Sequence, residues 1–331
     1  MKGVILLLPK LSIIVTVYNL ENYIINCLNS IINQTRFFDS QIEIIVIDDG
    51  SSDNSPTIIK QYLKKLEFDK QKSIQYFYKG NGGLSEARNF GLINAKGEFV
   101  LYVDGDDTLS ANFIEAVFPI LEKNEIDILI FDFFKVFQEN KIRMNSIKNC
   151  ANHITQREYL LGIPCAWNKI VRRELLINNK LFFPKGIWYE DLALTPQYCL
   201  YTNKIFYLKE PLINYIFREN SIINKKEYND KFEDIFKVVS ILISSFKESG
   251  YQKELEFIIV SQLMYHSADR FLSYSKTNQL LKSIEIVKIN FPNWKKNDYF
   301  KISKSVFLIT RLVYYKCFRV SGYLFKKLHK Y

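Results

Sequence analysis

The chain has 331 residues, 48% hydrophobic and 15% aromatic, with a net charge of +10; that suffices for a core larger than one average domain, and no apolar run reaches the roughly 20 residues of a membrane-spanning helix. The charge is uneven, since residues 301–331 carry eight Lys/Arg and no Asp/Glu and the rest holds 37 basic against 35 acidic residues, so the folded body lacks the basic face of a nucleic-acid binder. Five scattered cysteines (Cys27, Cys150, Cys165, Cys199, Cys317) and three histidines exclude zinc or redox spacing and fit a reduced, cytoplasmic setting.

"GVILLLP" near the start is short and has no small-residue cleavage site after it, so no signal peptide is expected. "LSIIVTVYN" (11–19) reads as a central strand of a parallel sheet, apolar throughout. In "ENYIINCLNSIINQT" (21–35), Ile24, Ile25, Leu28, Ile31 and Ile32 keep helical spacing. "IEIIVIDDGSSDNS" (42–55) reads as a second buried strand and a polar turn, with Ser52 or Asp53 capping the next helix and Pro56 in its first turn. A third strand, "IQYFYKG" (74–80), a glycine-rich turn feeding a helix (81–97) and a fourth strand, "EFVLYVDGDD", follow. Strand and helix alternate four times, which predicts an α/β fold with a mostly parallel sheet. Farther on, 126–137 reads as strand, "CAWNKIVRRELLINN" as turn and helix, "EDLALTPQYCLYT" as helix and 213–223 as strand; from about 224 the pattern is helical.

Ligands in such sheets sit beyond the carboxyl ends of the strands. The polar residues fall there: Thr16 to Asn19, Asp48 to Asp53, Asn81 to Ser85 and Asp104 to Asp107. Asp104 and Asp106 suit a divalent cation shared with a diphosphate, with Gly105 as the bend between them; an acidic turn capping the next helix is the alternative, and it is preferred for Asp107. Asp49 suits a hydrogen bond to a base or ribose, or the bracing of a turn. Arg88 suits an anionic oxygen, or a solvated helix face. Glu190 and Asp191 open a predicted helix, whose dipole favours an ionised carboxylate there, as a general base requires, and equally suits an ordinary cap. Trp188 and Tyr189 suit a sugar face or the core, and Arg218 a diphosphate or a surface ion pair.

Together these segments, in order over residues 10–222, resemble the family 2 glycosyltransferases of the GT-A fold, especially bacterial enzymes of capsule, lipopolysaccharide and other surface-glycan assembly. The resemblance is carried by "LSIIVTVYNLENYIINCLNSIINQT", "IEIIVIDDGSSDNS", "GNGGLSEARNFGLINAKGEFVLYVDGDD", "AWNKIVRRELL", "YEDLAL" and "YIFRENSI". It implies a Rossmann-like GT-A domain over 1–223 (nucleotide-sugar half about 10–110, acceptor half about 111–223) and a C-terminal α-helical region over 224–331. It implies an inverting enzyme that moves a hexosyl or N-acetylhexosaminyl group from a UDP-sugar to a glycan hydroxyl, with Mn2+ or Mg2+ as cofactor. By position, Thr16 (where the family usually has proline), Tyr18 and Asn19 match the nucleotide-binding start, Asp49 the uracil contact, and Gly83 and Arg88 the nucleotide border. Asp104 and Asp106 match the metal-diphosphate signature, with Asp106 the direct ligand, and Asp191 the base. Trp167, Asn168, Lys169, Trp188, Glu190 and Arg218 match the acceptor or diphosphate side. A non-catalytic sugar-nucleotide-binding subunit is the alternative; a nucleotidyltransferase or dehydrogenase is disfavoured because no glycine-rich loop follows the first strand.

Residues 301–331 read as an amphipathic helix or helix pair. Ile302, Val306, Ile309, Val313, Val320 and Leu324 form an apolar stripe, and Lys304, Arg311, Arg319, Lys326 and Lys330 lie largely opposite. That pattern fits an anionic inner-membrane surface, and equally packing on the catalytic domain. The expectation is therefore a cytoplasmic protein, peripheral on the plasma membrane, whose glycan acceptor is lipid-diphosphate-linked. The helices after 224 also suit a homodimer.

Overall fold

The structure, a computed structural model, describes residues 8–34, 41–123, 125–138, 140–148, 150–218, 227–302 and 304–328. The chain divides into two compact units, Met1–Gly186 with Glu190–Lys225, and Ile187–Tyr189 with Lys226–Tyr331. The expected division at 223/224 and the end of the "YIFRENSI" segment lie outside the described residues, as do residues 1–7 and Lys330.

The first unit is built on a ten-stranded sheet: β1 (Leu11–Val17), β2 (Ile42–Asp48), β3 (Ile74–Tyr78), β4 (Phe99–Asp104), β5 (Thr108–Leu109), β6 (Ile128–Phe137), β7 (Asn140–Met144), β8 (His153–Ile154), β9 (Lys169–Arg172) and β10 (Ile205–Ile216). The order is β3-β2-β1-β4-β9-β6-β10-β5, with β7 on β6 and β8 on β10. The β3-β2-β1-β4 block is parallel throughout. β1 and β2 are buried at all seven positions each, as Ile/Val-rich runs covered on both faces must be. β9 then inserts antiparallel between β4 and β6, and β10 runs parallel to β6.

The first unit's helices are α1 (Ile24–Ile32), α2 (Ser55–Lys65), α3 (Phe68–Lys72), α4 (Leu84–Asn94), α5 (Phe113–Glu122), α6 (Gln156–Leu160), α7 (Arg173–Asn178) and α8 (Glu190–Leu194). α1 buries Ile24, Leu28, Ile31 and Ile32 as its spacing predicts, while Ile25 is half-buried. At α2, Asp53 accepts the Ser55 N–H (2.9 Å) and Pro56 lies in the first turn. α4 lies close on the sheet because Gly91 faces Ile14: a Cβ there would stand 2.3 Å from Ile14 Cγ2.

Three expectations change. "CAWNKIVRRELLINN" is not only turn and helix: it holds β9, which joins the parallel block to the rest of the sheet. The helix expected over "EDLALTPQYCLYT" is α-helical only to Leu194 and tightens to a 3-10 helix over Thr195–Leu200, with Pro196 in its first turn. The strand expected from 213 begins at Ile205.

The second unit is helical: α9 (Asp234–Ser245), α10 (Gln252–Ser261), α11 (Ser267–Ser273), α12 (Thr277–Asn290), α13 (Lys304–Tyr314) and α14 (Phe318–Leu328), with a π-helical turn over Gln262–His266. The tail is a helix pair, broken where Lys316 takes φ +63°. α13 buries Ile309 and Val313 against that π-helical turn. α14 packs on α11 through Ser321 and Phe325, not through the expected Val320 and Leu324. Val320 is exposed and Leu324 half-buried, because the break at Lys316 resets the helical phase. Among the described residues, no helix is long and apolar enough to cross a membrane.

Candidate active site

The turn after β4 brings three carboxylates to the sheet edge. Gly105 donates its N–H to the Thr16 carbonyl (2.9 Å), and a Cβ there would stand 2.8 Å from that oxygen. Close approach to β1, and not a left-handed conformation, is what requires glycine here. Thr16 Oγ1 donates to Asp104 Oδ1 (3.3 Å). Asp107 is structural, as expected, but it does not cap a helix. Its Oδ1 accepts the Ile216 N–H of β10 (2.8 Å), whereas α5 begins at Phe113 after Asn112. That bond ties the acidic turn to the strand leading to Arg218, which pairs with Asp106 and lies 5.1 Å from the Tyr23 ring centroid.

Burial, then the charge of Asp104, raises Asp106 above the ordinary carboxylate range. Burial, with Asp106 and Asp104, raises Asp107 further. Asp104 and Asp106 keep 25% and 16% side-chain exposure. Carboxylate oxygens of this partial accessibility are the donor type a hard divalent cation takes, and each is paired with an arginine, Asp104 with Arg88 and Asp106 with Arg218. Among the described residues no cluster of three or more His, Cys, Asp or Glu offers a complete protein cage.

Arg88, on α4, is the hub. Its side chain is 1% exposed, yet it meets three carboxylates. Nη2 donates to Asp104 Oδ1 (2.9 Å), and Nη1 to Asp191 Oδ1 (2.6 Å) and Glu190 Oε1 (3.1 Å). The guanidinium carbon lies 5.2 Å from the Phe183 ring centroid, and Asn89 holds Phe183 by two bonds, to its carbonyl (2.8 Å) and from its N–H (2.9 Å). Burial works against the Arg88 charge, but Asp191, Asp104 and Glu190 outweigh it and raise its pKa. Burial and the charge of Asp191 push Glu190 up to about 7. Burial raises Asp191 as well, opposed by Arg88 and by the Ala166 N–H, which donates to Asp191 Oδ2 (3.0 Å).

At the β2 end, Asp49 is buried and braces the next loop. It accepts the N–H groups of Gly82 (3.0 and 3.2 Å) and Gly83 (2.7 Å) and pairs with Lys79. Gly83 takes φ +85°, which directs its N–H at Asp49 and starts α4. Asp48 is structural, accepting Ser51 N–H (2.8 Å) and the Tyr76 hydroxyl (3.1 Å). Asn19, at φ +53°, accepts the Ser52 N–H (2.8 Å) and so ties the ends of β1 and β2. Tyr18 beside it is 49% exposed.

The acceptor-side expectations separate. Trp167 is a core residue, edge-on to Phe133 (4.7 Å) and stacked on Tyr215 (5.5 Å). Asn168 is fully buried and bonds Ser146 Oγ (3.0 Å). Lys169 is buried, with its ammonium turned onto neighbouring oxygens. Trp188 belongs to the second unit, where its N–H reaches Asp234 (3.1 Å) and its ring meets Phe232 (5.3 Å). Glu190 and Arg218 do face the acidic cluster. Ala166, Phe183 and Tyr23 were not expected. A backbone N–H has no side-chain signature, and a lone aromatic reads as core.

On this mostly parallel sheet flanked by helices, Asp104 at the end of β4 meets Glu190 and Asp191 of α8 through one buried arginine. The profile of glycosyl transferase family 2 matches residues 12–179, just over half the chain, and the chain belongs to this family. It is 29% identical over 283 residues to "Putative glycosyltransferase EpsH" of Bacillus subtilis (strain 168), covering 82% of this chain and 78% of EpsH. It is 27% identical over 286 residues to the poly(ribitol-phosphate) beta-N-acetylglucosaminyltransferase TarS of Staphylococcus aureus (strain MW2), covering 86% of this chain and about half, 48%, of TarS. The crystal structure of S. aureus TarS 1-349 in complex with UDP-GlcNAc superposes over 96% of this chain and 92% of that one, with a TM-score of 0.72 at 21% identity, a likeness of fold.

Proposed function

We propose that this glycosyltransferase moves a hexosyl or N-acetylhexosaminyl group from a UDP-sugar to a hydroxyl of a bacterial surface glycan, with inversion. The observation that carries the reading is Arg88, one buried guanidinium bonded both to Asp104 and to the Glu190–Asp191 pair. It joins a donor-diphosphate clamp to a base within one cluster. UDP-sugar use is supported by the TarS complex and by the polar ends of β1, β2 and β4.

Asp191 accepts the proton of the acceptor hydroxyl as that oxygen bonds to the anomeric carbon. The bond from that carbon to the UDP oxygen breaks on the opposite face, and the electron pair leaves with UDP. Arg218 and Arg88 face the charge that grows on the diphosphate. A Mn2+ or Mg2+ ion held by Asp104 and Asp106 would supply further neutralisation there. Asp49, with the Gly82–Gly83 loop it braces, borders the base, and Tyr18 offers an exposed ring beside it.

The reading extends to location. The outward side of the tail carries Lys304, Leu308, Arg311 and Tyr315 at helical spacing, then Val320, Tyr323 and Lys327, all exposed. This face suits an anionic bilayer and an acceptor carried on a lipid diphosphate. The activity is tested by UDP release from a panel of UDP-sugars with Mn2+ or Mg2+. Release with at least one donor, lost on chelation, is expected; no release with any donor and acceptor would overturn the reading.

A further inference from the structure

We infer that Lys169 is a positioning residue for the base: its ammonium shapes the 163–168 turn so that the Ala166 N–H is delivered to Asp191. This rests on the proposed role of Asp191 and replaces the expectation that Lys169 touches acceptor or diphosphate.

An ammonium has three protons to give. Lys169 Nζ donates to the Ile163 carbonyl (2.9 Å), the Cys165 carbonyl (2.6 Å) and Asn168 Oδ1 (2.6 Å). All three partners lie within the six residues preceding it, so the side chain folds back on its own turn, with only 3% of the residue exposed. A buried ammonium is costly unless its protons are matched, and here each has an oxygen. Both ends of this brace are fixed. Lys169 begins β9, in register with Ile130 of β6. The turn is held separately by Thr195 Oγ1 on the Pro164 carbonyl (3.1 Å) and by Asn168 Nδ2 on Ser146 Oγ (3.0 Å).

The product of this bracing is one N–H. Ala166 donates to Asp191 Oδ2 (3.0 Å), while Arg88 takes Oδ1 (2.6 Å). With each oxygen held by a different element, the carboxylate cannot rotate, and each oxygen keeps a lone pair for a proton. Misplacement of a catalytic group by about 1 Å can cost about 100-fold in rate. Sheet register thus sets the base through a chain of contacts: β9, ammonium, turn, N–H, carboxylate.

The test uses the full chain with UDP-N-acetylglucosamine, or the member of the UDP-sugar panel that turns over, and an acceptor. Lys169→Met is expected to lower kcat about 10- to 100-fold while UDP affinity, by calorimetry, stays within about twofold. The acid limb of the pH–rate profile should move upward, since Asp191, which also faces Arg88, Glu190 and Asp104, loses the N–H and the nearby charge that favour its ionised form. Lys169→Arg should recover part of the rate. Ala166→Pro removes the N–H and leaves the ammonium in place; it should move the acid limb the same way, and it decides the matter if Lys169→Met does not fold. Unchanged kcat, or a loss confined to the acceptor KM with the acid limb fixed, overturns the inference. Asp191→Asn separates the two readings. If that variant is dead while Lys169→Met is normal, only the positioning role fails; if it turns over, the base reading fails and takes this inference with it.

Discussion

Arg88 brings one positive charge to three carboxylates, and burial together with the neighbouring Asp191 charge shows in the proton of Glu190. Glu190 is held at about 7 against an ordinary 4.5. A carboxyl raised on folding binds its proton more tightly in the native state. Its contribution to stability is therefore complete below pH 4.5 and is lost as pH rises through about 7. The melting temperature in metal-free buffer should fall across that window, and Glu190→Gln should flatten the slope. An unaltered slope would mean that Glu190 is not the group responsible. At this scale the sequence exposes chemistry better than partners. Asp49, Arg88, Asp104 and Asp191 are visible as polar residues ending apolar runs or opening helices. That Asp49 holds the Gly82 and Gly83 amides is not visible, because loop amides look alike in sequence.

Among elements, α4 matters most to the site, since it carries Arg88 onto the sheet. Helical Gly91→Ala would normally gain about 1 kcal/mol of helix propensity. Here the new methyl meets Ile14 Cγ2 at 2.3 Å, where β1 cannot retreat. Overpacking of this kind costs about 1–3 kcal/mol, so the variant should melt lower and lose activity as Arg88, one turn away, is displaced. A variant as stable and active as the parent would show that α4 can shift freely. The elements legible in sequence were those with long buried runs, β1, β2 and β4. β9 escaped because "KIVR" is four residues with charges at both ends. Its place is set by pairing with β4 and β6, a tertiary fact. The same holds for the point where the "EDLAL" helix tightens, which Pro196 marks without dating.

For the whole molecule, the first unit holds every group of the acidic cluster, and the second carries the basic tail. The tail's composition was plain in the sequence, but not which face stays outside, because the break at Lys316 turns α14 to pack through Ser321 and Phe325. Each Lys or Arg near an anionic surface is worth about 1 kcal/mol. Arg311→Gln with Lys327→Gln should thus weaken binding to phosphatidylglycerol vesicles about 30-fold, with UDP release from a soluble acceptor unchanged. Equal vesicle binding by variant and parent would remove the lipid surface from the account. The division of labour inside the acidic cluster is tested by UDP binding with Mn2+ and by UDP-sugar turnover, compared between Asp191→Asn and Asp106→Ala. Both variants should lose transfer, and only Asp106→Ala should lose the Mn2+-dependent part of UDP affinity. Full turnover by Asp191→Asn, or undiminished Mn2+-dependent UDP binding by Asp106→Ala, would contradict it.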